Sequence, residues 1–587
     1  MDDTTRLLTR HFFRRFIEND LISPDADRHQ TLVVVCASIV SFGLVVTLLL
    51  ALRYVGPLSI PGQVSLNSLD DKFLYIGWSM SVMALVTLAE WDALALDVRD
   101  ASILGPLPIP SRAIFHAKAT ALLLFAGGCL VVLNVVPSIL FASALVSNIG
   151  IGFVPYLTLI AVHATTTMAA GAFGFLAVLA LRELLHACLG TTLFKRVSTV
   201  LQASLVVFFV TALCLLPGLS YRIGRERMAD GQTAYAMPPL WFLGLDEAGA
   251  GHVIDGLPRA RVAKRLVPFE KQATDIYRSR KPQFRGLAET AVASLGLVGL
   301  LAGAAYSWNN RRLPSPVTDQ QDRPHRLRRL SVVFAERCVV RRPLARAGFF
   351  FTVQTLWRSG THRLAMAVAV ALALAVTTVA LRGVDVTHLA ERARVMTSVL
   401  AIQPMVILVL LAGFRHAARV PAELRANWAF QSSWSGEVRP YVAGVKRAAL
   451  VCVAGPALLV LFPVHVALLG FGSAVLHLVY GLFMAIAALE VVMLGFRTLP
   501  FASSYVGGGN LKAWLPVCVL GFWPVTHMLA VLERVTMRDA STTIALLAGL
   551  AAVSAGVRMF ARSQRESYGP VEFCELPVET QRLDLSA

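Results

Sequence analysis

The feature that most constrains this chain is a recurrence of apolar stretches, each close to the length of one bilayer crossing. A hydrocarbon core about 30 Å thick takes roughly 20 residues of α-helix at about 1.5 Å rise per residue. Runs of that size occupy residues 31–52, 73–94, 119–141, 155–181, 198–217 and 286–307. They recur at 362–381, 395–413, 447–469, 472–493, 511–532 and 541–560. Lipid offers backbone amides no hydrogen-bond partners, so such segments must close their hydrogen bonds internally as helices. The expectation is an all-α polytopic membrane protein of about twelve transmembrane helices. Composition agrees, because 15% of the 587 residues are charged and 56% are hydrophobic. That is too little charge to coat the several soluble domains a chain this long would otherwise form.

The formal net charge is +18, which in a soluble protein would suggest nucleic acid. In a polytopic protein, insertion bias and attraction to anionic lipid produce the same excess in cytoplasmic loops, so anionic lipid is the expected partner of these segments and nucleic acid is not. With the N-terminus inside, the expected inner loops hold Arg99, Arg112 and Lys118, then Arg182, Lys195 and Arg196, and residues 308–361 hold eleven arginines. The expected outer loop 142–154 has no Lys or Arg. Both termini then lie in the cytoplasm of a cell whose plasma or inner membrane holds the chain. The long segment 218–285 is basic as well, but long loops cross regardless of charge, and it is placed outside. The start carries no cleavable signal pattern, and the run from Thr31 is long enough to stay as a signal anchor.

Before that run, Leu8, Phe12 and Phe16 fall at helical spacing among Arg10, Arg14 and Arg15, as in a basic amphipathic helix lying in the cytoplasmic interface. FFRRFIENDLISPDADRHQ ahead of the first run is echoed by FFFTVQTLWRSGTHR ahead of the seventh. The chain therefore reads as two six-span repeats: residues 1–310, a basic cytoplasmic linker 311–361, a second half 362–560 and a cytoplasmic tail 561–587. Duplicated bundles are a common way to build a transport pathway.

Catalytic patterns are missing. No GxxxxGK[ST] loop, HExxH pair or GxSxG elbow in a strand–helix setting occurs, so no enzyme activity, cofactor or metal is expected in this chain. The eight cysteines form no CxxC pair, which supports neither a disulfide framework nor a zinc site. Ionisable groups at membrane depth are costly and so become candidates. His163, His465, His477 and Glu490 lie deepest, with Glu289 and His527 nearer span ends. His163 and His477 occupy similar depths in the two halves, and with Glu490 they are candidates for polar groups along a pathway. The alternative is a neutral imidazole bonded to a neighbouring helix. No line of carboxylates suggests a proton relay.

Two inner loops are longer than a connection requires. In WDALALDVRDASILGPLPIPSRAIFHAKA, residues 91–119, Asp97 to Leu104 reads as a short helix. Pro106, Pro108 and Pro110 stop it, and Ser111 caps the next helix. A helix pinned between proline breaks is a rigid docking knob. In the second loop, Pro421 suits a first helical turn, Glu423 complements its dipole, and Leu424, Trp428 and Ala429 form an apolar strip. An exposed Trp there reads equally as a partner contact or an interfacial anchor.

The run RDASILGPLPIPSRAIFHAK resembles the stretch between spans two and three of ABC-2 type exporter permeases. MPPLWFLGLDEAGAG, residues 237–251, is similar to part of the external segment in some bacterial members, and PAELRANWAF and LPFASSYVGGGNLKAW are similar to large bacterial ABC-2-like membrane proteins. The resemblance implies a coupling helix that docks on a separate ATP-binding cassette subunit, with ATP and Mg held by that partner. The residues it nominates are Asp97, Arg99, Asp100, Leu104 and Arg112, with Pro421, Leu424, Arg425 and Trp428 in the second loop. It implies a permease component of an ATP-driven transporter, here with two halves fused and with the second loop departing from the first. Rival readings are a twelve-span secondary transporter and a non-transporting membrane scaffold.

Overall fold

In the computed structural model the described residues are 3–17, 47–48, 54, 61–95, 98–146, 151–223, 234–255, 267–311, 339–382, 392–422, 432, 437–494, 499–502 and 511–567. Every regular element among them is helical. Among them, ten helical stretches are long and apolar enough to cross a membrane. Of the expected spans, 31–52 falls outside the described residues save for 47–48, and 511–532 falls on a helix whose side chains are described only from Pro524. The chain divides into two compact units, Met1–Ile22 with Ala26–Thr318, and Ser23–Asp25 with Asp319–Ala587.

The first unit runs α1 (Asp3–Ile17), α2 (Pro61–Ala89), α3 (Val98–Leu104), α4 (Ser111–Val146), α5 (Phe153–Ile223), α6 (Pro238–Asp255) and α7 (Val267–Asn310). Two expected spans, 155–181 and 198–217, are the arms of α5, which bends at Gly190. That residue has φ +68°, a left-handed conformation that glycine adopts without Cβ strain. The segment 218–285 is not an open loop: α6 and the first turns of α7 lie within it, and Leu240, Phe242 and Leu243 of α6 are fully buried. α2 also begins earlier than the expected boundary of 73, so Lys72 belongs to the helix rather than to a loop. α1 carries its apolar stripe against protein. Leu8, Phe12 and Phe16 are buried against α4, Phe16 stacks on Phe125 at 5.4 Å, and Lys118 lies over the Phe12 ring.

The second unit runs α8 (Pro343–Arg358), α9 (Gly360–Arg382), α10 (Arg392–Arg419), α11 (Val438–Ala449), a π-helical turn (Leu450–Ala454), α12 (Gly455–Leu469), α13 (Phe471–Val492), α14 (Leu511–Thr536) and α15 (Ala540–Ser567). The π-turn precedes Pro456, which has no amide hydrogen to donate, and the Gly455 N–H reaches back to the Leu450 carbonyl. α8 occupies the end of the expected linker and packs on α11 within this unit. α1 on α4 and α8 on α11 thus make the same kind of contact in each unit: a short amphipathic helix laid on the start of the helix that follows the long loop. Large apolar side chains stay exposed along the remaining spans, among them Leu300, Leu459, Ile544 and Met559. Such faces suit a lipid solvent.

Candidate functional site

The loop between α2 and α4 is held from several directions. Trp91 donates to Ser198 Oγ at 2.7 Å, Tyr306 donates to the Leu94 carbonyl at 3.2 Å, and Lys118 donates to the Ala95 carbonyl. Arg182 stacks over the Trp91 ring, 5.6 Å from its centroid, and pairs with the buried Glu183. Asn309 bonds both the Glu183 carboxylate, at 2.7 Å, and its carbonyl. Past α3, the proline turn closes on itself, with Leu107 N–H to the Leu104 carbonyl at 3.2 Å and Ile109 N–H to the Leu107 carbonyl at 2.7 Å. Arg15 of α1 pairs with Asp100 of α3. The chain leading into this seven-residue helix is therefore tied to the buried Tyr306 and Lys118, and the first turn to Arg15.

The residues picked from the sequence divide accordingly. Asp97 lies outside the described residues, and so does the side chain of Arg99. Asp100 is engaged within the chain, and Arg112 is exposed. Leu104 packs partly against the core beside Phe12 and Ile114, whereas Ile103 is 66% exposed and Leu107 46%. The outward apolar pair is Ile103 and Leu107. Substituting Arg15 by Ala is expected to cost less than about 1 kcal/mol, because half-exposed pairs contribute little. It is expected to raise hydrogen exchange over 98–104 with the rest of the unit unchanged. Unchanged exchange there would show that α3 does not need the tie.

In the second loop only part of the expected surface is described. Pro421 is half-buried, and the strand of chain around it is clasped by Ala422 N–H to the Phe501 carbonyl and Phe501 N–H to the Ala418 carbonyl, each 2.8 Å. Leu424, Arg425 and Trp428 lie outside the described residues.

A buried polar cluster joins α2, α5, α6 and α7. Lys72 Nζ lies 2.6 Å from an oxygen of Asp246 and 2.6 Å from Glu247 Oε1. Asp246 Oδ2 meets His163 Nδ1 at 2.7 Å, and Tyr277 donates to Glu247 Oε2 at 2.6 Å. His163 sits edge-on to Tyr75 and packs on Phe141, while Tyr75 and Thr47 share a hydrogen bond of 2.6 Å. None of these charged groups is more than 4% exposed. Asp246 lies on α6, outside the candidate spans. Burial pushes its carboxyl up, but Lys72 and His163 beside it outweigh burial and hold it down at about 2. Taking such ions out of water costs several kcal/mol each, offset only by close pairing. The cluster is a latch: it fastens α6 to three other helices.

The second unit holds a related pair. His477 Nδ1 of α13 meets Glu533 Oε1 of α14 at 2.6 Å, and His465 of α12 packs edge-to-face on His477 with ring centroids 4.5 Å apart. Glu490, the third expected pathway residue, is a satisfied ion centre, bonded to Arg558 Nε at 2.7 Å and to Lys446. Both His163 and His477 are enclosed by side chains of their own unit. Each imidazole is bonded to a carboxylate on a neighbouring helix. Lys72, Asp246, Glu247, Tyr277 and Glu533 were not singled out from the sequence. The available signal was the Asp246–Glu247 dipeptide in the otherwise apolar run 237–251. Among the described residues no group of His, Cys, Asp and Glu is arranged to hold a metal ion. Comparison with protein-family models, with curated proteins and with solved structures finds no match.

Proposed function

We propose that this chain is the membrane-spanning permease component of an ATP-driven, ABC-2-like transporter, whose ATP is bound and hydrolysed by a separate cytoplasmic subunit. The observation that carries this reading is the short helix α3. The chain leading into it is tied to Tyr306 and Lys118, its first turn pairs with Arg15 and its last residue, Leu104, packs on the core, yet it and the following turn present Ile103 and Leu107 to solvent. A partner moves a transporter only through contacts that differ between two states, and only a stiff element transmits the push. Arg112 and the loop 419–446 complete the docking surface in this reading. The resemblance of residues 99–118 to the coupling segment of such permeases points the same way. The transported molecule would meet the bundle walls, while anionic lipid neutralises the basic segments.

The test is co-purification with the ATP-binding cassette subunit from native membranes. Ile103→Asp and Leu107→Asp, each placing a charge in the contact, are expected to lower recovery of that subunit by tenfold or more, the effect of losing about 1.4 kcal/mol or more of interface energy. Insertion and thermal stability should not change, because both side chains are exposed. Full recovery with both variants would reject docking at α3.

A second reading, a secondary transporter driven by an ion gradient, draws on one observation, the titratable groups buried at Lys72–Asp246–His163. Transport that an ionophore abolishes while ATP stays intact would favour it.

A further inference from the structure

The His477–Glu533 pair differs from its counterpart in the first unit in one respect. The imidazole–carboxylate pair His163–Asp246 has a fixed cation, Lys72, the twelfth residue of α2. The twelfth residue of α10 is Gln403, which is neutral and donates to the His477 carbonyl at 2.7 Å. Among the described residues no other fixed charge pairs with Glu533 from the helices packed around it. Arg534 on α14 turns to Thr397 Oγ1 of α10 at 3.0 Å. Lys446 and Arg558 are taken by Glu490, Arg415 of α10 bonds the Val492 and Leu494 carbonyls, and His527 of α14 is exposed. Glu533 is 2% exposed and His477 fully buried, so a bare carboxylate there would be an uncompensated charge in a dry site.

The remaining valences around the pair are arranged to accept. Among the described residues four buried polar atoms here have no hydrogen-bond partner: Nε2 of His465, Nε2 of His477, Oε2 of Glu533 and the Tyr480 hydroxyl. His465 Nε2, buried and without a partner, can accept a hydrogen when its ring carries the other on Nδ1. With Glu533 ionised, His477 Nδ1 is likewise the donor and Nε2 the acceptor. Two imidazole lone pairs and a carboxylate oxygen then meet a single hydroxyl donor.

We propose that His477, Glu533 and His465 form a proton-binding site in the second unit, occupied by one proton that offsets the charge of Glu533. The proton sits on the His477–Glu533 pair, as imidazolium with carboxylate or as neutral imidazole with carboxylic acid, and His465 Nε2 accepts it when the bundle rearranges. No bond other than N–H or O–H forms or breaks, and no oxidant or reductant is needed. The site stands whether or not α3 docks an ATPase, because nothing in it involves that loop.

The test is infrared difference spectroscopy of the full-length protein in detergent during a pH titration, with exchange into heavy water. The wild type is expected to show one titrating band, a protonated carboxyl stretch or an imidazolium mode, that shifts on deuteration. Glu533→Gln removes the carboxyl and His477→Gln the imidazolium, so the band is expected to vanish in one variant or both. Potentiometric titration is expected to show about one fewer exchangeable proton per chain in each. A wild-type spectrum without such a band overturns the proposal by itself, even if neither variant folds. So do variants whose spectra and proton counts match the wild type, and so does a metal ion found in equimolar amount with the purified wild type and lost in both variants.

Discussion

Replacing Lys72 by Met is expected to destabilise the protein by about 3–5 kcal/mol, the usual effect of removing one partner from a buried ion pair. The reason lies in what stays behind. Asp246 and Glu247 each lose an ammonium at 2.6 Å, and both remain buried, at 0% and 4% exposure. Met fills nearly the volume of the Lys stem, so packing changes little and electrostatics decides the outcome. A triple variant, Lys72→Met with Asp246→Asn and Glu247→Gln, is expected to recover most of the loss, because it removes the charges together with their counterion. Thermal unfolding in detergent, followed by intrinsic fluorescence, reads both variants. A single variant within about 1 kcal/mol of wild type would show that α6 is held by its apolar contacts and that the ionic latch is incidental.

That latch also marks where sequence reasoning reaches its limit. Apolar run length was enough to place the helices at 360–382 and 471–492 to within two residues at each end, and to start the helix at 540–567 within one, although that helix runs seven residues past the expected end. The prolines at 106, 108 and 110 likewise sufficed to end one short helix at Leu104 and start another at Ser111. Both are local effects of backbone chemistry and side-chain apolarity. Lys72 escaped because a charged residue at the edge of an apolar run looks like a loop, and its partners lie 174 and 175 positions away. The same distance problem hid Glu533, whose bond to His477 spans 56 residues. Leu104 and Ile103 share a turn of α3, and periodicity alone did not say which one faces Phe12 and which faces water. Only the packing of α1 on α4 decides that.

The second large effect is expected where α8 crosses α11. Two glycines face each other's helix there: a Cβ on Gly444 would lie 2.0 Å from the Ala345 carbonyl oxygen, and one on Gly348 would lie 2.3 Å from that of Tyr441. In both cases the obstacle is backbone, so no rotamer change relieves it and the helices themselves must part. Gly444→Ala is expected to cost about 1–3 kcal/mol, the range for overpacking a tight contact, in spite of the better helix propensity of Ala. Gly128→Ala on α4, where nothing lies within 4 Å of the added Cβ, is the matched control and is expected to be neutral or slightly stabilising. Because a single outward shift of α8 relieves both clashes, Gly348→Ala with Gly444→Ala should cost less than the sum of the two, with a coupling of about 0.5 kcal/mol or more. Hydrogen exchange over 343–358 should rise in each variant and no further in the pair. Strict additivity, or exchange unchanged over α8, would mean that the two glycines do not set the approach of these helices, and that the contact rests on Phe349, Val445 and Ala448 instead.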